Sequence, residues 1–424
     1  MDLAQYAQAF KASEEDFERQ VESFGIPFES RESCPRSLRV ATAKACGCNC
    51  ENAGGSLWMN WISPACLACR TGERTATFFI DLVCQRSCYF CFNPNQDHYE
   101  YFLSHRRDIS AELEQAKESG AQLDFLAVTG GEPLLHQEEV ERFFRTAKRL
   151  YPHAYTRLYT NGDLLDENGL QTLTDSGLDE IRFSIKPDED AAVLDKTFRT
   201  IEWSATTVPV TMVEMPVIPG TLQEMKQTLS RLDSIGIAGI NLLEFCFPLC
   251  NAKEFSKRGF RLRKHPYTYL YDYWYGGGIP VAGSETESLE LLRYANREGF
   301  RMGVHYCSSD NKNTGQIYQQ NKAFAETNMH EAFPWLKLDP EDHFLKCAKA
   351  FGSDMAKVLK WAKERRLDTF SAKEDVPSIS FPLSWADRLQ KSESDVEIGR
   401  SVNVLEEKPD GGLKIREVSI DPLR

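Results

Sequence analysis

The sequence predicts an α/β fold built around a parallel sheet. Short apolar segments of strand length recur between residues 77 and 245, and they alternate with amphipathic segments of helix length. Strands that alternate with helices indicate βαβ units, whose strands pair in parallel. The six predicted strands cover residues 77–83, 124–129, 155–160, 180–186, 209–215 and 238–245, and the clearest helices cover Glu138–Leu150 and Leu222–Ile235.

Three cysteines follow the first predicted strand with the spacing Cys84-x3-Cys88-x2-Cys91. Thiolates are the usual ligands of iron–sulfur clusters, which normally bind four of them. Three clustered thiolates would leave one iron free for another ligand, as catalytic zinc sites keep one position free. The residues alone also permit a zinc knuckle or a cluster that only transfers electrons.

A second motif, Gly130-Gly131-Glu132-Pro133, directly follows the second predicted strand. Glycines allow the backbone to approach a ligand closely, and the proline fixes the exit from the turn. Asn161-Gly162 stands in the equivalent position after the third strand, where Asn161 is either a ligand contact or an ordinary turn residue. In parallel barrels the chemistry lies at the carboxyl ends of the strands, where these turns are expected.

Together, the cysteine loop, with Phe90 before its last cysteine, and the glycine turn resemble the signatures of the radical S-adenosylmethionine (SAM) superfamily. The resemblance implies a partial (β/α)6 TIM-like barrel and a [4Fe-4S] cluster on Cys84, Cys88 and Cys91, with SAM at the open iron. The SAM-binding residues that it implies are Phe90, Gly130, Gly131, Glu132, Pro133, Asn161, Ser184 and Lys186.

The fourth predicted strand alternates apolar and polar residues. Alternation puts its three apolar side chains on one face and Arg182, Ser184 and Lys186 on the other. A barrel strand needs apolar residues toward its helices, so the polar set is expected to point inward. A solvated edge strand would show the same alternation.

Five further cysteines precede the three-cysteine motif: Cys46, Cys48, Cys50, Cys66 and Cys69. A set of thiolates without histidine suits a second, auxiliary iron–sulfur cluster or a four-cysteine zinc site, and ligand type alone does not separate the two. Free thiols are the third interpretation. With five candidates for about four positions, one cysteine is expected to be spare.

A third group of cysteines follows the predicted strands: Cys246, Cys250, Cys307 and Cys347. Cys307 ends a predicted strand, behind a helix that Ser284 and Glu287 would open with a capping box. Its thiol is the candidate catalytic group, as a hydrogen-atom donor to a product radical. Alternatively, cysteines of this group ligate a cluster of their own, supply a missing fourth ligand for the N-terminal cysteines, or are small buried hydrophobic residues.

Composition excludes several classes of protein. The 424 residues carry a net charge of −13, which argues against a nucleic-acid-binding role. The alternating tyrosines from Tyr267 to Tyr275 are interpreted as a half-buried strand face rather than a base-stacking surface. No apolar run reaches the ~18 residues of a membrane helix, and Met1–Gln20 has no signal-peptide core, so a cytoplasmic protein is expected. In such a reducing compartment, 13 cysteines favour metal ligation or free thiols over disulfides.

The expected domains are a helical, cysteine-rich metal-binding region over residues 1–75, the barrel over 76–250 and an α+β extension over 251–424. In the extension, residues 344–365 are predicted to be helical, and Pro409–Gly412 is predicted to join a hairpin.

The resemblance implies an enzyme that cleaves SAM to a 5′-deoxyadenosyl radical, which abstracts hydrogen from a peptide, protein or small-molecule substrate. A flavodoxin or ferredoxin would supply the electron. The alternative is a non-enzymatic iron–sulfur or zinc scaffold or electron carrier. The glycine turn favours the enzyme, because a carrier needs no SAM pocket.

Overall fold

The computed structural model describes residues 1–30, 36–271, 278–393, 395–409 and 411–423. The chain forms two compact units. The large unit comprises Phe24–Pro266 and Trp274–Lys312, and the small unit comprises Met1–Ser23, Tyr267–Tyr273 and Asn313–Arg424.

The strands, in chain order, are β1 (Asn49–Glu51), β2 (Ser56–Met59), β3 (Thr75–Phe79), β4 (Phe125–Thr129), β5 (Tyr155–Thr160), β6 (Glu180–Ser184), β7 (Val210–Val217), β8 (Gly239–Glu244), β9 (Cys246–Phe247), β10 (Ile279–Pro280), β11 (Gly303–Cys307), β12 (Lys337–Leu338), β13 (Leu345–Phe351), β14 (Ser371–Lys373), β15 (Ser378–Phe381), β16 (Gly399–Glu407) and β17 (Leu413–Pro422).

The helices are α1 (Leu3–Glu22), α2 (Arg36–Cys46), α3 (Pro64–Ala68), α4 (Tyr99–Phe102), α5 (Ile109–Glu118), α6 (Gln137–Leu150), α7 (Glu167–Asp175), α8 (Ala191–Thr207), α9 (Leu222–Ile235), α10 (Ala252–Lys257), α11 (Ser284–Glu298), α12 (Ser309–Asn321), α13 (Ala323–Glu326), α14 (Met329–Ala332), α15 (Gly352–Glu364) and α16 (Ala386–Ser392).

The large unit is built on a sheet with the strand order β1-β2-β11-β8-β7-β6-β5-β4-β3. Strands β3 to β8 and β11 pair in parallel, while β2 pairs antiparallel with β11 and β1. The predicted α/β class with a parallel sheet is confirmed. The sheet has a seventh parallel strand, β11, where six were predicted. Helix α11 supplies the crossover that a parallel strand needs.

The first predicted strand ends earlier than residue 83. Strand β3 stops at Phe79, and the following residues bond outside the sheet: the Leu82 N–H donates to the Phe102 carbonyl oxygen at 3.1 Å. The other five predicted strands agree with β4 to β8 to within two residues at each end. Helices α6 and α9 also lie where they were predicted.

The two faces of the large sheet differ in polarity. The face toward the helices is apolar and fully buried, as Val128, Leu158, Val213, Ile240 and Val304 show. Each such side chain contributes about 1.5–3 kcal/mol by leaving water. The opposite side is called the inner face, and its polar residues are Arg157, Glu180, Arg182, Glu214, Asn241 and His305.

The small unit contains a second, antiparallel sheet of strand order β14-β15-β13-β16-β17, with β12 on β13. The prediction of helix over residues 344–365 is wrong in its first part, because Leu345–Phe351 forms β13, which pairs with both β15 and β16. The predicted hairpin is confirmed: β16 and β17 run antiparallel, with Glu407 opposite Leu413. Residue Asp410 of its turn lies outside the described residues.

The units divide the chain differently from the expected limits at residues 75 and 250. Helix α1 belongs to the small unit, where the Tyr6 hydroxyl donates to Glu417 Oε2 at 2.6 Å. Strands β1, β2 and β11 belong to the large sheet. Neither grouping was accessible from local patterns, because both depend on pairing between distant segments.

The tyrosine segment is not a strand where it is described. Residues 267–271 have no regular secondary structure; the Tyr269 ring lies 4.8 Å from that of Phe344, and the Tyr271 hydroxyl donates to Glu406. Tyr273, Tyr275, Gly276 and Gly277 lie outside the described residues. A search of the described helices finds none with the length and apolar character that crossing a membrane requires.

Candidate active site

The cysteine loop, residues 84–91, follows β3 and presents three thiols. The Cys91 N–H donates to the Cys88 carbonyl oxygen at 3.1 Å, which closes a turn. Lys186 Nζ donates to Cys88 Sγ at 3.2 Å, and the Arg86 N–H donates to Cys84 Sγ at 3.4 Å. Burial raises the pKa of the Cys84 and Cys91 thiols, and neighbouring thiols of the loop raise it further. Metal coordination stabilises the thiolate form that burial disfavours.

Arg86 anchors this loop to its surroundings. Its guanidinium donates to both carboxylate oxygens of Asp163, at 2.6 and 2.8 Å, and to Glu189 Oε2 at 3.0 Å. These partners follow β5 and β6, so one side chain joins three loops at the carboxyl end of the sheet. Sequence reasoning missed Arg86, although its place between two motif cysteines was a usable signal.

The glycine turn, residues 130–133, packs against the residues that precede the cysteine loop. The Gly131 N–H donates to the Asp81 carbonyl oxygen at 3.1 Å, and the Glu132 N–H donates to that of Val83 at 2.7 Å. Gly130 has a φ of +116°, which favours glycine. A Cβ on Gly131 would lie 1.9 Å from the Val83 carbonyl oxygen. Close approach of two backbones therefore explains both glycines.

Glu132 joins the glycine turn to the end of β5. Its buried carboxylate accepts hydrogen bonds from the Thr160 hydroxyl at 2.7 Å, the Asn161 N–H at 2.8 Å and the Leu134 N–H at 3.2 Å. Burial nevertheless raises its pKa. The carboxylate is thus engaged by its own chain, and the adjoining Pro133 is also buried.

Of the remaining predicted SAM-binding residues, Asn161 contacts the cysteine loop and Phe90 lies within it. Asn161 Nδ2 lies 3.9 Å from Cys84 Sγ, and its Oδ1 accepts from Gln85 Nε2 at 3.1 Å. The half-buried Phe90 ring lies 5.3 Å from that of Phe245. Ser184 ends β6. The predicted alternation along this strand is confirmed, because Ile181, Phe183 and Ile185 are fully buried in the apolar core while Arg182 and Lys186 make polar contacts.

A network of buried polar groups covers the inner face. The Arg182 guanidinium donates to Glu180 and Glu214, both at 2.6 Å, and to Cys66 Sγ at 3.4 Å. Asn241 Nδ2 donates to the same sulfur at 3.4 Å, and Asn241 Oδ1 lies 2.8 Å from His305 Nδ1. Cys66 therefore receives two N–H donors, an arrangement that suits a sulfur carrying negative charge.

The structure separates the five N-terminal cysteines into two groups. Cys66 lies in α3 and Cys69 caps it, and both interact with the inner face. Cys46 and Cys48 instead pack against the apolar core on the helix side. Cys50 lies opposite Leu57, a residue of that core, and directly opposed residues share a face. The structure does not bring these five cysteines together into one site.

Cys307 lies on the inner face with Cys66 and Cys69, the first of these groups. Asn311 Nδ2 donates to its sulfur at 3.2 Å. Burial raises the pKa of this thiol to about 12, with further contributions from Cys69 and Cys66. Its role as a hydrogen-atom donor stays a prediction.

The other late cysteines are dispersed. The Cys250 thiol donates to the Cys91 carbonyl oxygen at 3.6 Å, so it borders the cysteine loop. Cys246 Sγ lies 3.2 Å from Ser309 Oγ, and Cys347 is buried in β13 of the small unit.

The donor chemistry of the cysteine loop fits an iron–sulfur cluster: three thiols, with an ammonium and a backbone N–H directed at two of the sulfurs. A closely packed glycine turn borders the loop. The part of the chain that the structure describes holds no three histidine, cysteine, aspartate or glutamate side chains already gathered in metal-binding geometry.

Comparison with known proteins finds a family that this region matches. Residues 82–232 match the model of a family described as the Radical SAM superfamily. A protein of Methanocaldococcus jannaschii, provisionally named a glycyl-radical enzyme activating enzyme, is 24% identical over 265 residues, which cover 60% of this chain and 66% of that protein. The PqqA peptide cyclase of Gluconobacter oxydans is 38% identical over 104 residues, which cover 24% of this chain and 27% of the cyclase. The chain thus spans less than two thirds of either relative.

Among solved structures, Streptococcus suis SuiB bound to S-adenosylmethionine aligns with a TM-score of 0.41 and 13% identity, over 55% of this chain and 50% of that chain. The segment matched by the family contains the cysteine loop, the glycine turn, Asn161, Ser184 and Lys186.

Proposed function

This chain belongs to the radical SAM superfamily through its residues 82–232, and from that premise we propose that it is an enzyme that cleaves SAM at a [4Fe-4S] cluster held by Cys84, Cys88 and Cys91. Membership implies the cluster and SAM. With the cluster and SAM bound, the chemistry supplied there would be one-electron reductive cleavage of SAM to methionine and a 5′-deoxyadenosyl radical that abstracts a hydrogen atom from the substrate. The protein supplies orientation and exclusion of water.

One observation carries this proposal: the glycine turn is bonded to both sides of the candidate site. Gly131 and Glu132 donate to the backbone that precedes the cysteine loop, and the Glu132 carboxylate accepts from Thr160 and Asn161. An electron carrier would not require this second turn beside its cysteines. The arrangement supports a pocket for a ligand next to the cluster.

Different residues of the chain are proposed to bind different parts of SAM. The backbone carbonyl oxygens of Gly130 and Gly131 are proposed to accept hydrogen bonds from the amino group of SAM, because the Glu132 carboxylate already has partners. The Gly130 oxygen accepts from Asn93 Nδ2 at 2.7 Å and keeps a second lone pair for this contact. Lys186, whose ammonium lies beside Cys88, is suited to the carboxylate of SAM. Phe90 is proposed to pack near the adenine, and Ser184 and Asn161 to bind polar atoms of the ribose.

A polypeptide substrate is the proposed class. The names of the two curated relatives refer to a peptide cyclase and to activation of an enzyme. A small-molecule substrate is the competing class, and a flavodoxin or ferredoxin is the proposed reductant.

The test is anaerobic reconstitution with iron and sulfide, followed by reduction with dithionite and chromatography of the products formed from SAM. Wild-type protein is expected to form 5′-deoxyadenosine and methionine. The variant C84A/C88A/C91A is expected to form neither, whereas C347A, the same kind of change in the small unit, should retain activity. Reduced, loaded wild-type protein that leaves SAM intact would support the alternative of a non-enzymatic iron–sulfur or zinc protein.

A further inference from the structure

We propose that Cys66, Cys69 and Cys307 bind an auxiliary [4Fe-4S] cluster at the inner face of the large sheet, separate from the cluster at the cysteine loop. This assignment goes beyond the proposed function and does not depend on SAM cleavage. It selects three of the chain's 13 cysteines, from two segments that are more than 200 residues apart in the sequence.

The first two thiols are held at the inner face by the start of α3. Ser63 caps this helix by accepting the Ala65 N–H at 3.2 Å, and its hydroxyl donates to Glu180 Oε2 at 2.6 Å. Residues three apart on a helical turn lie on the same side, so Cys66 and Cys69 point in similar directions. Contacts of Cys66 with Arg182 and Asn241 show that this direction is toward the inner face.

Strand register brings the third thiol to the same place. His305 of β11 is the partner of Asn241 in β8, and Asn241 contacts Cys66. Cys307 lies two residues beyond His305 on the same face, about 6.6 Å further along the strand. The three thiols therefore border one region of the inner face. They come from the two ends of the large unit's sequence.

The charge of this region is suited to an anionic group. Three thiolates around a cluster carry net negative charge. Arg182 is already paired with Glu180 and Glu214, so the positive charge left to balance the thiolates is that of Lys312, whose Nζ donates to a carbonyl oxygen, that of Glu244, at 3.2 Å. Buried charges are stable only when they are paired or coordinated. Metal binding at these thiols would meet that condition.

Arg157 provides an independent indication of a ligand. This inner-face residue is 7% exposed, and its Nε has no hydrogen-bond partner among the described residues. Arg157 of β5 is the register partner of Glu180 in β6, and the Glu180 carboxylate accepts from Ser63 at the start of α3, the helix that carries Cys66 and Cys69. A buried donor without a partner is costly, and sulfur atoms of a cluster would accept its hydrogen bond.

The remaining N-terminal cysteines are excluded by their position. Cys46, Cys48 and Cys50 lie on the helix side of the sheet, so the sheet stands between them and Cys66. Zinc is less suited, because a structural zinc site closes its tetrahedron with four protein ligands. The three selected thiols instead match the donor set of the cysteine loop.

The test counts iron and sulfide in protein that lacks the first cluster. Reconstituted C84A/C88A/C91A is expected to retain about four iron and four sulfide per chain and to give an EPR signal on reduction. Adding C66A and C69A should remove both, whereas adding C46A, C48A and C50A, the matched control, should remove neither. Iron that survives C66A/C69A, or zinc in its place, would overturn the proposal.

Two further variants distinguish loss of a cluster ligand from misfolding of the protein. In the C84A/C88A/C91A background, Arg157→Leu should keep the iron count but move the midpoint potential of the cluster to a more negative value, because a positive charge is lost. An unchanged potential would contradict the assigned position of the cluster. Cys307→Ala should lower iron retention. Full retention with an unchanged EPR signal would overturn the third ligand and leave Cys307 available as a hydrogen-atom donor.

In otherwise wild-type protein, C66A/C69A should lose about half of its iron and still form 5′-deoxyadenosine from SAM in the absence of substrate. This readout separates failure of the auxiliary site from failure of the proposed function. Loss of SAM cleavage with an unchanged iron count would count against the auxiliary cluster.

Discussion

Gly131 shows how one residue determines the architecture of the candidate site. Its backbone touches that of Val83, and no side chain fits between them. The cysteine loop and the glycine turn are therefore one structural unit, although some 40 residues separate them in the sequence.

We expect Gly131→Ala to destabilise the large unit by about 2–3 kcal/mol, because the added methyl group overlaps a carbonyl that cannot move freely. Urea unfolding and iron retention after gel filtration measure the effect. Gly169→Ala is the control, since a Cβ there meets other atoms at 3.4 Å or beyond, and its change should stay within ~1 kcal/mol. Equal stability of the two variants would contradict the contact.

Arg86→Ala should weaken iron binding at the cysteine loop and cost about 1.5–3 kcal/mol of stability, because Asp163 and Glu189 lose a charged donor. Arg86→Lys should recover only part of this loss, since lysine cannot form the two-pronged contact. The control is Arg231→Ala, which removes an exposed ion pair with Asp195 worth about 0–1 kcal/mol. Iron content and the midpoint of urea unfolding measure both effects. Equal losses in Arg86→Ala and Arg231→Ala would refute the prediction.

His305 should make the stability of the metal-free protein depend on pH. Burial, followed by the charge of Arg182, lowers its pKa to about 3, whereas an unfolded histidine has a pKa of about 6.5. Between these values the unfolded chain binds the extra proton, so stability is full above about pH 6.5 and falls as the pH is lowered, by up to ~1.4 kcal/mol per unit.

The measurement compares urea unfolding at pH 7.5 and 5.5 for wild type and His305→Gln. For wild type, the free energy of unfolding should be lower at pH 5.5 than at pH 7.5, and in His305→Gln this difference should be smaller by about 1 kcal/mol. The same substitution at exposed His153 is the control. A pH dependence that His305→Gln leaves unchanged would be inconsistent with the buried neutral ring.

At the scale of elements, the start of α11 shows that residues with the spacing of a helix cap can instead make tertiary contacts. The expected capping box is absent: the Ser284 hydroxyl accepts the Phe245 N–H at 2.8 Å, and Glu287 accepts the Gly220 N–H at 2.9 Å. Helix α11 instead begins after Gly283, whose φ is +93°. Both side chains therefore bind backbone N–H groups of neighbouring loops. The spacing of Ser284 and Glu287 in the sequence does not predict these tertiary contacts.

Ser63 combines a local and a tertiary contact at α3. We expect Ser63→Ala to cost about 2–3 kcal/mol, from the lost helix cap and from the donor removed from the fully buried Glu180. Urea unfolding monitored by tryptophan fluorescence measures it. Ser234→Ala, at the exposed end of α9, should change stability by no more than ~0.5 kcal/mol. A Ser63 effect as small as that would show that α3 is not held through this side chain.

At the scale of the whole molecule, the net charge of −13 dominates encounters with polyanions. The protein is expected to pass through heparin at about 0.15 M salt and to bind an anion exchanger. Electrophoretic mobility of a labelled single-stranded RNA should be unchanged by the protein under the same conditions. Retention on heparin above that salt concentration would reopen the interpretation of the tyrosine segment as a base-stacking surface.

The sequence predicted the sheet class correctly, and it also predicted one edge of the sheet as the candidate site, because both inferences depend on local signals. Apolar strands alternating with helices predict parallel pairing, and strand ends followed by cysteines, glycines and Asn-Gly predict one functional edge. Arg182 and Lys186 point inward as the period of two requires. These features need no knowledge of which distant segments meet.

Only the tertiary structure decided which distant cysteines share a surface. Strand β11 joins the sheet beside β8, and the hairpin β1–β2 adds to it, so Cys307 and Cys66 border the same face while Cys50 is turned to the other. Spacing in the sequence contains no information about such register, because pairing between segments far apart depends on the packing of the whole sheet.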